Sequence, residues 1–300
     1  MREVPHDTGF PKSDAQFDFS RARRSRALSR LANRLRGEPG DVMAILPFEG
    51  VVEALGRRGE RNHGLQTIEI DSIVGTVDRS REFDRSFRPT SGRVRTRWER
   101  IAEAQRRGRP MPPIHVYRID DLHFVKDGHH RVSVARAMGH DKIDAYVAEV
   151  ITEVGPDQGI RVADLPLKTH ERLFYERVPL AAEARRRIAP SNRSAYACLA
   201  EGVEAWGFRA MQARGELMTR EETAEAWYRE EYVPVVEMLR EAGLADGRNQ
   251  TDAYAATVSL RYLLLRTHEW DDEILERLRI EMDNPSWEST EIRRLKKGLG

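Results

Sequence analysis

A single cysteine, Cys198, occurs in 300 residues. No disulfide can therefore close within the chain, and the composition suits a reducing cytoplasm. There is no Cys-x-x-Cys pair and no His-Glu-x-x-His, so the ligand spacings of common zinc sites are missing and no metal ligand set is expected. No apolar run approaches the roughly 20 residues needed to cross a bilayer. The opening MREVPHDTGF has no apolar stretch of the kind a secretory signal carries, so neither a membrane nor a secretory address is expected. A Gly-x-x-x-x-Gly-Lys-[Ser/Thr] loop is absent, which excludes a P-loop NTPase, and no Gly-x-Ser-x-Gly elbow supports an α/β-hydrolase. No internal repeat stands out.

What is present is a polar chain with enough apolar material for a core: 40% hydrophobic and 33% charged residues, with mean hydropathy −0.64. The length suits two domains, or one with a substantial extension. The net charge of +1 conceals an asymmetry. Residues 1–150 hold 28 basic and 22 acidic residues, a net of +6, whereas 151–300 hold 22 and 27, a net of −5. A basic half favours anionic partners, nucleotides or nucleic acid.

Residues 1–20 read as a disordered start. Residues 21–36, RARRSRALSRLANRLR, carry seven arginines and no acid. Leu28, Leu31, Ala32 and Leu35 share one helical face, so a basic, partly helical arm over 1–44 is expected. It can lie along DNA phosphates; the blander reading docks its leucines on the adjoining domain. A weaker helix follows at 43–56. Gln66–Ile70 reads as a short strand, followed by an arginine-rich loop from Gly75 to Pro89. A helix over about 91–107, capped by Thr90 or Ser91, turns Val94, Trp98, Ile101 and Ala102 to one side. Two strands, Pro113–Ile119 and Leu122–Lys126, flank an Asp120-Asp121 turn. A helix over about 129–138 ends at Gly139, and Ile143–Val150 closes the series. This is an α+β pattern, a small mixed sheet with packed helices. From about 165 the signal is helical: helices near 192–213, 251–267 and 271–282, a capping box at Thr219 and Glu222, and a break at Pro234. Trp206, Trp227, Tyr228 and Trp270 read as core of this all-α domain, about 165–300.

The most informative segment is VKDGHHRVSVARAMG, residues 125–139. A strand that turns tightly into a helix aims unpaired backbone N–H groups outward, and these with the helix dipole favour an anion. Gly128 permits close approach, His129 and His130 add donors, and Arg131 can fork around phosphate oxygens. Asp127 can cap the turn or help hold a Mg²⁺-bound nucleotide. The bland alternative makes Asp127 a plain helix cap and the histidines a polar helix start. His115 and His123, on the sheet faces, are read as hydrogen-bonded structural residues, and no metal ligation by His115, His123, His129 or His130 is expected.

Residues 66–150 resemble the ParB/sulfiredoxin superfamily. The Pro-Pro-Ile-x-Val strand, the hairpin and the Gly-x-His-Arg turn occur in that order in sulfiredoxin. The Asp-Gly-His-His-Arg turn is closest to the free-serine-kinase branch. The resemblance implies a nucleotide-binding domain over about 45–150, taking ATP, ADP or CTP, with its phosphates at Gly128, His129, His130 and Arg131. It places Arg93 and Thr96 where the family offers a cation and a hydroxyl to the nucleotide. The reactive cysteine of sulfiredoxin falls on His129, so sulfinic-acid repair is not expected. The glutamate base of the serine kinases falls on Val77, leaving Asp78 as the neighbouring candidate. The implied activity is that of a phosphotransferase or NTPase using Asp127 and Asp78. Two rivals stand beside it: a nucleotide-gated, ParB-like DNA-binding or regulatory protein contacting DNA through residues 21–36, and an interaction module without ligand. No helix-turn-helix is evident in 165–300, which weighs against centromere binding, and a homodimer is left open.

Overall fold

The structure is a computed structural model, and it describes residues 7–157, 159–245, 247, 249–265, 270 and 272–282. The chain divides into two compact units, residues 1–172 and 173–300.

The first unit is α+β. Its helices are α1 (Pro11–Leu35), α2 (Phe48–Leu55), α3 (Arg95–Arg106) and α4 (His129–Ala137). Its strands are β1 (Leu46–Pro47), β2 (Arg57–Glu69), β3 (Ile73–Thr76), β4 (Ile114–Ile119), β5 (Leu122–Asp127) and β6 (Lys142–Thr152). They form one mixed sheet in the order β1-β3-β5-β4-β6-β2. β1–β3, β3–β5 and β4–β6 are parallel; β4–β5 and β2–β6 are antiparallel.

Apolar residues alternate along β4, so Ile114 and Val116 point to one face and there meet α3 and α4. Trp98 of α3 is fully buried, lies edge-on to Phe19 at 5.5 Å, and donates from Nε1 to Ser133 Oγ of α4 at 2.8 Å. Burying an indole removes on the order of 200 Å² from water, worth roughly 5 kcal/mol before entropy. The hydrogen bond leaves no orphaned N–H inside that contact. On the other face Phe48 of α2 stacks on Tyr117 at 4.5 Å. The turn at Asp120, with φ 48°, joins β4 to β5.

Three expectations are corrected here. Residues 1–6 lie outside the described residues, but from Pro11 the chain is helical, so the start is not disordered through residue 20. The leucines of this helix do not dock: Leu28, Leu31 and Leu35 are exposed, while Ala15 and Phe19, a turn or more earlier, are buried. Its first half is instead fastened by charge. Asp18 is fully buried and receives Arg21 at 3.0 Å and Arg106 of α3, and Asp14 accepts from Thr8 Oγ1 at 2.7 Å. The third correction is β2, which begins at Arg57 rather than Gln66.

The second unit is helical. α5 (Leu165–Arg177), within which the division falls, precedes α6 (Ala182–Arg187), α7 (Arg193–Arg214), α8 (Arg220–Trp227), α9 (Val233–Glu241), α10 (Gln250–Leu265) and α11 (Asp272–Met282). The Thr219–Glu222 capping box is formed. Pro234 lies in the first turn of α9, and the wider π-type turn Tyr228–Tyr232 precedes it. Proline cannot donate to the preceding turn, and the backbone widens there instead of continuing as one regular helix. Trp227, Tyr232 and Tyr254 pack together, with Trp227 Nε1 donating to Tyr254 Oη at 3.1 Å. Trp206 lines a cavity of about 360 Å³. The expected helix at 251–267 is seen to Leu265, with 266 and 267 outside the described residues.

Among the described residues no helix is long and apolar enough to cross a membrane. No group of three or more His, Cys, Asp or Glu side chains is placed to share a metal ion among them.

Candidate functional site

The site is built where β5 meets α4. Gly128, the residue before the helix, has φ 105°, a backbone shape that residues with a side chain rarely adopt. A Cβ there would fall 2.8 Å from the Cβ of Ile114, and closer still to its Cγ2. Glycine is thus demanded by the fold as well as by any ligand. It turns the chain so that the amides of His129, His130 and Arg131 open α4. Only from Val132, whose N–H donates to Gly128 O at 3.0 Å, does the helical ladder begin. The three preceding amides have no acceptor among the described residues and sit at the positive end of the helix dipole.

The histidines occupy a different place from the one their sequence suggested. His129 and His130 are 4% and 5% exposed, so they form a floor under the turn and do not reach out as donors. His129 Nε2 shares a hydrogen bond of 2.7 Å with Thr76 Oγ1 at the end of β3, and that hydroxyl also accepts the amide of Arg79 at 3.2 Å. Phe83 lies parallel to His129 and edge-on to His130, its centroid 5.4 Å from the latter. Burial holds both imidazoles neutral, each pushed down to about 4. The charge of Arg79 adds to burial for His129, and that of Arg97 for His130. A neutral, buried imidazole is no phosphate clamp.

Arg131 is also committed. Its guanidinium donates to Pro112 O at 2.6 Å and Pro113 O at 2.7 Å, and pairs with Asp127. It braces the approach to β4 against the turn, and to fork around a phosphate it would have to leave those carbonyls. Asp127 is well exposed even so.

Arg93 and Thr96 are both exposed at the start of α3, Arg93 in a short 3-10 turn whose cap is Ser91. The Trp98–Ser133 hydrogen bond ties the start of α3 to α4, and one position before Trp98 stands Arg97, close enough to depress His130. Arg97 is exposed and pairs with no acid among the described residues. Sequence reasoning missed it, although Arg97 directly follows Thr96, a residue already singled out. Asp78 lies in the loop after β3, exposed, and its charge is felt by His129. In the same loop Arg79 pairs with Glu82 at 2.9 Å. The charges of Arg79, Asp127, Glu82 and Asp78 thus act on His129, and those of Arg97, Glu82 and Arg79 on His130. Of the other histidines, His123 is buried, held by Ser72 Oγ at 2.8 Å, and His115 stacks on Tyr146 at 5.1 Å.

No protein-family model, curated protein or solved structure matches the chain.

Proposed function

We propose that the first unit is a ParB/sulfiredoxin-like nucleotide-binding domain that takes the phosphates of ATP, ADP or CTP at the first turn of α4. The observation that carries this reading is the trio of acceptor-free amides at His129, His130 and Arg131; the charge of the exposed Arg97, which pairs with no acid among the described residues, acts on His130 of the same turn. Amides at a helix start and an adjacent arginine are complementary to phosphate in charge and in hydrogen-bond sense. The donors differ from those first expected. Backbone and Arg97 would hold the anion, Arg93 and Thr96 would flank it, and His129 and His130 would keep the turn rigid from below.

Asp127 and Asp78 fit a Mg²⁺-phosphate group by chemistry, as exposed oxygen donors at the turn and in the adjoining loop. Bound there, Mg²⁺ would neutralise phosphate charge. For a phosphotransferase or NTPase, the same two carboxylates are the candidates to accept a proton from the attacking hydroxyl or water.

The test is thermal shift and calorimetry of the full chain with ATP, ADP, CTP and GTP, each with and without Mg²⁺. A ligand of the native state raises apparent stability by mass action, and Arg97→Gln should weaken it about tenfold. No shift with any nucleotide at millimolar concentration refutes the reading. Binding without turnover, unchanged by Asp78→Asn and Asp127→Asn, would leave a binding domain without catalysis.

A further inference from the structure

A cavity of about 530 Å³ lies between the second half of α1, the segment 38–47 and the loop 80–90. None of the residues Asp127–Arg131 lines it, and Phe83 of its wall stands between it and the histidines of the α4 turn. Arg26, Arg30 and Arg34 line it. They are spaced by four residues, so successive guanidiniums start about 6 Å apart along one face of the helix.

The charge in this cavity is unbalanced. Arg30 and Arg34 pair with no acid among the described residues. Arg26 Nε is buried without a hydrogen-bond partner, and the nearest carboxylate, Asp84 Oδ2, stands 3.7 Å away, too far for a hydrogen bond. Asp84 is spoken for: it accepts from the amides of Ser86 and Arg88 and from Arg88 Nε, all at 3.0 Å. The other acid of the lining, Glu38, has its own partner in Arg36 at 3.5 Å. Burial and the like charges of Arg30, Arg88 and Arg23 together lower the basicity of Arg26, opposed by Asp84 alone. A buried cationic N–H with no acceptor is costly, and the exposed guanidiniums of Arg30 and Arg34 present donors to a phosphate at the cavity mouth. Asn33 and Ser80 add polar atoms to the wall, while Met43 and Ile45 give it an apolar side. The volume is that of a small-molecule site.

We infer that this cavity is a second anion site, taking a phosphorylated small molecule with its phosphate groups on the ladder Arg26–Arg30–Arg34 and its remaining body against Met43 and Ile45.

The experiment is calorimetry of the full chain at low salt with pyrophosphate, ATP and a short DNA duplex, comparing wild type, the Arg30→Gln/Arg34→Gln double variant and Arg97→Gln. Both exchanged arginines are exposed, so the fold is not at stake, and an unchanged Tm checks this. The expected result is that the double variant binds pyrophosphate or ATP at least about tenfold more weakly, with one equivalent of ligand lost. Arg97→Gln keeps that equivalent. Binding by the double variant as by wild type overturns the proposal; if Arg97→Gln alone weakens it, the α4 turn stands as the one phosphate site. A loss confined to the DNA duplex also overturns it, by making α1 a surface for nucleic-acid backbone. A wild type that binds neither pyrophosphate nor ATP at millimolar concentration overturns both sites.

Discussion

Replacing Gly128 by alanine tests the structural basis of the turn. Two costs add. The residue sits at φ 105°, and a left-handed conformation costs an L-residue about 1–2 kcal/mol. The new Cβ also drives into the fully buried Ile114, and forced overpacking costs about 1–3 kcal/mol. The sum is about 2–5 kcal/mol, a large share of the ~5–15 kcal/mol that holds a typical domain. For a unit of this size it lowers Tm by about 4–20 °C. The measurements are thermal unfolding and hydrogen exchange over peptides spanning β4, β5 and α4, where protection should fall first. A cycle with Ile114→Ala tests the steric part: trimming Ile114 removes the Cγ2 clash and should recover some of that cost, leaving the Cβ contact and the dihedral part. If Gly128→Ala is within about 0.5 kcal/mol of wild type, or if the cycle shows no coupling, the geometry assigned to the turn is wrong.

Three further outcomes are expected. Arg106→Ala strips Asp18 of its partner on α3 while the carboxylate stays buried, and should cost about 3–5 kcal/mol in urea unfolding. The folded-state values of His123, His129 and His130 lie near 4, below the unfolded value of about 6.5. The unfolded chain therefore binds more protons between those limits. Stability should be full above about pH 6.5 and fall by about 1.4 kcal/mol per pH unit per histidine toward pH 4, and His123→Gln should reduce the measured slope. Thr219→Ala removes the acceptor for the Glu222 amide and should cost about 1 kcal/mol, read by circular dichroism in denaturant.

Between residues 91 and 150 the elements were legible because period and punctuation agree there. Val94, Trp98 and Ala102 recur at helical spacing, Ile114 and Val116 alternate, and Gly128 and Gly139 bound α4. Strand β2 escaped because most of RRGERNHG faces water and carries no alternation to read. Helix α1 misled for the opposite reason. Its leucines form a tidy stripe, yet the stripe is exposed and the helix is anchored by Asp14, Asp18 and Phe19, two acids that no hydrophobic pattern marks as buried. A truncation of residues 1–40, designed to remove a loose arm, would remove part of the core. At the turn the sequence located the backbone site but not the side-chain roles. Whether His129 faces ligand or Thr76 depends on where β3 ends, and Arg131 was claimed by carbonyls at Pro112 and Pro113, groups invisible in a motif.

Strand β2 closes one border of the sheet, and eleven of its thirteen residues pair with β6, on one side only. A strand arriving on the other side would come within about 4.8 Å of the backbone, between the side chains of Arg57, Arg58, Glu60 and Arg61. It would also have to follow two register shifts, at 57–59 and 62–64. A straight, uncharged ribbon cannot do both. The same polar stretch that hid this strand from sequence reading is what keeps so long a border from zipping onto stray chains.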